Sequence, residues 1–191
     1  MSLTRTLAGF TLAAVAVACV KLPEPPPDGV AYDILCPVTG KVSFTNDWHA
    51  PRSGGTLHEG NDIMAPRLTP SVAVVDGEIR WAVGDKSGYA VWLEDEDGNE
   101  YFYAHFAAWA HADAAVGSKR DVVAGEVIGY VGDTGNAAGT PHLHFEIHPD
   151  GGDPVNPYPS LYAECTDRTG THGATGRGSD VASTSDDRFE R

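Results

Sequence analysis

Pro141-His142-Leu143-His144-Phe145-Glu146-Ile147-His148 alternates apolar and polar side chains along its length. Leu143, Phe145 and Ile147 take one phase; His142, His144, Glu146 and His148 take the other. In a β-strand, residues i and i+2 share a face. The stretch therefore predicts a strand with one side turned into a core. The other side presents His142 and His144, about 6–7 Å apart by the rise of a strand. A rigid strand with two imidazoles on one side can hold a metal ion and a proton-transfer group together. Two neighbouring histidines on their own are more often surface or core residues, so the metal reading needs further donors.

Those donors stand upstream. His58-Glu59-Gly60-Asn61-Asp62 offers an imidazole and a carboxylate four residues apart. Zinc accepts His nitrogen and Asp oxygen, and a catalytic zinc commonly takes three protein ligands and keeps one position for water. His58, Asp62 and one of the pair His142/His144 make such a set. The other histidine is then left beside the water, where a general base is needed.

Around these motifs the signals are strand signals. Ser71–Val75, the turn Asp76-Gly77 and Glu78–Val83 read as a hairpin. Tyr89–Glu94 and Glu100–His105, joined through Asp97-Gly98, read as a second one. Val122–Gly132 contains a turn and a short strand, and Ala104–Ala115 alone has weak helical character. No long amphipathic pattern occurs, so the fold class is mainly β, a compact antiparallel sheet domain. Tyr101 and Tyr103 alternate along one strand and read as core or groove lining. His49, His111 and His148 read as structural or surface residues.

The chain has 191 residues and a net charge of −14. Residues 28–165 carry 21 acidic and 7 basic side chains, so the whole imbalance lies there. No basic footprint exists, which argues against nucleic-acid binding. Arg5 followed by the apolar run Thr6–Ala18 reads as a signal peptide over residues 1–19. The protein is thus expected to be exported. Ala16-Val17-Ala18-Cys19 adds a candidate lipoprotein signal with Cys19 as the lipidated residue; the alternatives are ordinary cleavage nearby and an uncleaved anchor. Membrane attachment is expected only through that anchor. Residues 20–31 form a Pro-rich tether, 32–165 the folded domain, and 166–191 a polar tail too poor in apolar residues to fold. With Cys19 set aside, Cys36 and Cys165 remain as a candidate disulfide across the ends of the domain, against two free thiols.

His58-x-x-x-Asp62, Tyr103-Ala104-His105 and Gly135-Asn136 through Pro141–Glu146 resemble the lysostaphin-type (LytM-type) zinc metalloendopeptidases of bacterial cell walls. The resemblance runs from about Ser43 to Pro157. Val127–Asn136 and Asp153–Pro157 also look like that family's flanking text. It implies a fold of the duplicated-hybrid-motif type with a metal-site groove, and one Zn2+ per chain. It assigns His58, Asp62 and His144 as ligands and His142 and His105 as the catalytic histidines. Either histidine can serve as base, and His105 can stabilise the oxyanion or protonate the leaving amine; the reading taken is His142 as base and His105 as oxyanion stabiliser. The implied substrate is an amide bond in the peptide cross-links or stems of peptidoglycan, the implied place the bacterial envelope or the exterior, and the implied state a monomer. Glu146 is a candidate to orient His144, Asn136 to support a turn, and Arg52 to contact substrate or hold a loop. Two departures stand out. Leu68 occupies a position that is usually glycine, and Asn61 one that is commonly apolar. The competing class is a non-catalytic regulator of the same fold that binds peptidoglycan or switches a wall hydrolase. Such proteins usually lack several ligands, whereas all five expected residues are present here. A metal-binding structural lipoprotein would leave two histidines unused.

Overall fold

Alternation of the kind seen at 141–148 recurs wherever the chain is extended, and it sets the architecture. The computed structural model describes residues 29–165. The signal segment, Cys19, residues 20–28 of the tether and the tail lie outside the described residues. The strands are β1 Asn61–Met64, β2 Pro70–Val72, β3 Gly77–Gly84, β4 Gly88–Glu94, β5 Glu100–Phe106, β6 Ala108–Trp109, β7 Lys119–Val122, β8 Val127–Tyr130 and β9 His142–His148. One α-helix among the described residues, α1 Tyr158–Cys165, follows them.

The strands make a six-stranded sheet in the order β1-β9-β5-β4-β3-β7 and a three-stranded sheet in the order β2-β8-β6, with antiparallel pairings throughout. Leu143, Phe145 and Ile147 of β9 are fully buried, as the alternation predicts. With Ile63, Val91, Leu93, Tyr101 and Tyr103 they line one face of the larger sheet. Val38, Ile128, Val131 and Leu161 belong to the same core. The Tyr103 hydroxyl accepts the Val74 backbone N–H at 3.0 Å, so this tyrosine is a core residue. The opposite face of β1, β9 and β5 carries the candidate site.

Three local expectations change. Ser71–Val83 is not a hairpin: β2 pairs with β8, whereas β3 pairs with β4 and β7. Both sheets face one core, so the same alternation serves a strand in either. The chain crosses between them at Val74–Asp76, where Leu35 N–H donates to Val74 O and Ala124 N–H to Asp76 Oδ1. Ala104–Ala115 is not helical. Its alanine content favours a helix, but tertiary pairing overrides propensity: β6 pairs with β8, and the Trp109 indole N–H donates to Ala90 O at 3.0 Å. Helix α1 is too short to show a helical period in the sequence. It starts where Asn156 Oδ1 accepts the Tyr158 N–H. At its end Cys165 meets Cys36 with Cα atoms 5.2 Å apart, within the reach of a disulfide.

Candidate metal centre

β9 is flanked by β1 on one side and β5 on the other. Register sets Asp62 opposite His144 and His144 opposite Ala104. These residues share the open face of the sheet, and His142 follows by the period of two. Ala104 is small and leaves room above β5 for the imidazoles. Gly60, just before β1, lets its backbone approach: a Cβ there would lie 2.8 Å from His144 Cε1 and 2.5 Å from Phe145 O.

His105 reaches this face by a different device. Strict alternation would place it with Tyr101 and Tyr103 in the core. Instead Tyr89 pairs with Phe106 and Val91 with Tyr103, so Ala104 and His105 together oppose Ala90. This is a β-bulge, which re-aims a side chain. His105 takes the left-handed conformation there, φ 68, and its ring lies 4.8 Å from the His142 ring.

Three donor atoms converge. His58 Nε2 lies 2.8 Å from His144 Nδ1, and Asp62 Oδ1 lies 3.1 Å from each. The outer nitrogens explain which atoms these are. His58 Nδ1 faces Asp47 O at 3.0 Å, His142 Nδ1 faces Thr140 O at 2.7 Å, and His105 Nδ1 faces Thr134 O at 2.9 Å. A carbonyl only accepts, so each Nδ1 carries a hydrogen and each Nε2 is the nitrogen turned inward. His144 Nε2 faces Glu146 Oε1 at 2.7 Å and donates to it, leaving Nδ1 bare. Two inward imidazole nitrogens and a carboxylate at such separations need a shared cation between them, protons in the metal-free protein or a metal ion in their place. The donor set, two nitrogens and one oxygen, suits zinc.

The titration of these groups follows. Burial alone would lower the His58 pKa, but hydrogen bonds to Asp47 and Asp62 and the Asp62 charge outweigh it and raise it to about 9. Burial would raise Asp62, yet His144 and His58 hold it well below the usual carboxylate range. His144 is raised, with burial opposed by Asp62 and Glu146. For Glu146, burial is outweighed by His144 and His148, which hold it at about 2. His105 goes the other way: burial, then the nearby His142, lower it to about 4.

The groove around these groups has a volume of about 520 Å³, and its lining includes Arg52, Thr56, Leu57, Lys86, Asn136 and Thr140. A larger groove of about 1120 Å³ shares none of these residues and contains no histidine, so the chemistry belongs to the smaller one. Arg52 holds the loop rather than standing free: its Nη2 donates to Asp62 Oδ2 at 2.6 Å and to Asp47 Oδ2 at 3.2 Å. Asn136 ties its turn through its backbone N–H, which donates to Lys86 O. His148 is more than a surface residue, since its Nε2 donates to Glu146 Oε2 at 2.7 Å. His111 stacks edge-on with Trp81, and His49 stacks on Trp48, both away from the groove. Asp47 was not marked by the sequence. It lies in a loop without periodicity, and no motif includes it.

The model of one family, peptidase family M23, matches residues 56–157, more than half of the chain. The chain belongs to peptidase family M23. Over 103 residues this M23 chain is 45% identical to the DD-carboxypeptidase/endopeptidase Mpg of Neisseria meningitidis serogroup B, an alignment covering 53% of the chain and 22% of that protein. It thus spans under a quarter of the length of that relative. Among solved structures, it is similar to a Ruminococcus gnavus protein assigned as a glycyl-glycine endopeptidase lytM, with 29% identity and a TM-score of 0.59 over 71% of this chain and 62% of that one. It is also similar to the catalytic domain of the antimicrobial peptidase lysostaphin from Staphylococcus simulans, with 26% identity and a TM-score of 0.53 over 63% and 92% of the two chains. The mainly antiparallel β architecture of this M23 chain is the lysostaphin-type fold.

Proposed function

We propose that this protein is a zinc-dependent metalloendopeptidase that hydrolyses amide bonds in the peptide cross-links or stems of peptidoglycan. The observation that carries the reading is the convergence of His58 Nε2, Asp62 Oδ1 and His144 Nδ1 within 3.1 Å of one another, beside two further imidazoles in one groove. A zinc ion held by these three atoms would acidify water and polarise the amide carbonyl. The remaining work falls to the chain's own residues. His142 donates outward from Nδ1 to Thr140 O, so its Nε2, 3.6 Å from Asp62 Oδ1, is the nitrogen that meets the water. His142 therefore takes the proton from the attacking water and returns it to the leaving amine. His105, kept neutral and donating outward to Thr134 O, offers only a lone pair at Nε2. It accepts a hydrogen from the water and orients it, and the oxyanion role suggested above does not suit that tautomer. Glu146 holds the His144 ring so that Nδ1 points inward. The endopeptidase names of the relatives and the family support this chemistry. Export, action in the cell envelope, an anchor at Cys19 and a monomeric state belong to the same reading.

The test is incubation of the zinc-loaded chain with purified peptidoglycan, followed by analysis of new amino groups. Wild type should release them. His142→Ala and His105→Ala should keep zinc and lose turnover by about 100-fold or more, whereas Asp62→Ala should lose zinc. A zinc-loaded wild type that releases nothing from walls of several cross-link chemistries would favour a non-catalytic regulator.

A further inference from the structure

Asp47, which does not line the groove, joins four residues of the site, His58, Arg52, Asn61 and Asp62. Its backbone oxygen and its Oδ2 both accept from His58 Nδ1, at 3.0 and 3.2 Å. The same Oδ2 accepts from Arg52 Nη2 at 3.2 Å. Its Oδ1 accepts from Asn61 Nδ2 at 2.6 Å and from the Asp62 backbone N–H at 3.3 Å. Arg52 Nη2 continues to Asp62 Oδ2 at 2.6 Å. One carboxylate thus touches His58 directly, touches the backbone of Asp62, and reaches the Asp62 side chain through one guanidinium.

Each contact has a consequence for the inward atoms. Two acceptors at His58 Nδ1 fix a hydrogen there and make Nε2 the nitrogen offered to a cation. Arg52 occupies Asp62 Oδ2, so the carboxylate turns a single oxygen, Oδ1, towards the two imidazoles. Arg52 also brings a positive charge beside the donors, and the Asp47 carboxylate offsets it. Without that offset, the guanidinium would repel a dication. Asn61 explains how Asp47 is held. Its side chain is fully buried, and its amide donates to Thr45 O at 2.6 Å as well as to Asp47. An apolar residue at position 61 could do neither, so the departure at Asn61 belongs to this brace and not only to packing.

We propose that Asp47 is a positioning residue for the metal centre, which sets metal affinity through His58 and Arg52 without touching the metal or the substrate. The inference rests on the metal reading above. Zinc affinity of the full chain is measured by competition with a chromogenic chelator, with the visible spectrum of the Co2+-loaded chain as a second readout. In Asp47→Asn the amide oxygen can still accept from Asn61, but its NH2 then faces the donors of Arg52 and His58. Zinc binding should weaken about 10- to 100-fold, and the Co2+ bands should change in position or intensity. Circular dichroism of the metal-free variant checks folding; if Asp47→Asn does not fold, Asp47→Ser is read in the same way. A folded variant whose zinc affinity stays within about threefold of wild type, with an unchanged Co2+ spectrum, would overturn the proposal and leave the peptidase reading standing. A wild type that binds no zinc would remove both.

Discussion

Leu68 sits at φ 70 with its side chain 60% exposed. The left-handed region costs a residue with a Cβ about 1–2 kcal/mol, and an exposed leucine gains little burial in return. Leu68→Gly should therefore stabilise the fold, by about 0.5–1 kcal/mol once the greater freedom of glycine in the unfolded chain is counted. Its urea midpoint should rise with activity unchanged; a midpoint that falls would mean that Leu68 packs usefully. The sequence revealed this position as a departure, but the backbone angle supplies the sign. His58 yields a second prediction at this scale. Its pKa rises from 6.5 to about 9 in the metal-free protein. A raised pKa gives stability that is fully present below the unfolded value and is lost as pH climbs through the folded one. The melting temperature of the chelator-treated chain should fall between about pH 6.5 and 9, and zinc uptake in that window should release protons. A flat profile with no proton release would refute the shift. The ligand candidates were legible because residue type and spacing carry their chemistry. Asp47 was not, because its role exists only where the loop folds back on His58.

The strand β9 was legible to its ends, since a period of two over seven residues admits one reading of its faces. The bulge in β5 was not. Nothing in Tyr101-Phe102-Tyr103-Ala104-His105 breaks the alternation, and read plainly it sends His105 into the core beside Tyr103. The extra residue shows only when β4 is laid against β5, because the register slips between Tyr89 and Val91. The false hairpin at 71–83 has the same origin, since alternation tells which face is buried and not which strand is the neighbour. The bulge makes a prediction about an element rather than a side chain. His105→Gly and His105→Val both remove the imidazole, and both should lose turnover. They should differ in stability. Glycine accepts a positive φ freely, whereas a β-branched residue resists it. The valine variant should be less stable than the glycine variant by about 1–2 kcal/mol. Equal denaturation midpoints would mean that the left-handed bulge is not the conformation that holds His105 in place.

The two ends of the described chain meet on the far side of the core from the groove. Cys36 precedes β1, Cys165 closes α1, and the sequence separation between them is 129 residues. Both are buried, at 2% and 0% exposure. In the chain-entropy view, a bond closing so long a loop restricts the unfolded state most, and stabilises by about 4–5 kcal/mol. The groove side has no share in that term. The three residues that could hold a metal ion lie on β1, β9 and the loop before β1, and neither cysteine lines the groove. Removing the bond should thus lower stability while leaving the site intact. The oxidised chain should show no reactive thiol at either position. A Cys36→Ser, Cys165→Ser double variant should unfold at a clearly lower denaturant concentration, corresponding to about 4 kcal/mol, and still bind zinc with wild-type affinity at 25 °C. A double variant with an unchanged midpoint would show that the core holds the ends together without the bond. One that loses zinc binding while still folded would show that the two sides of the sheet are coupled.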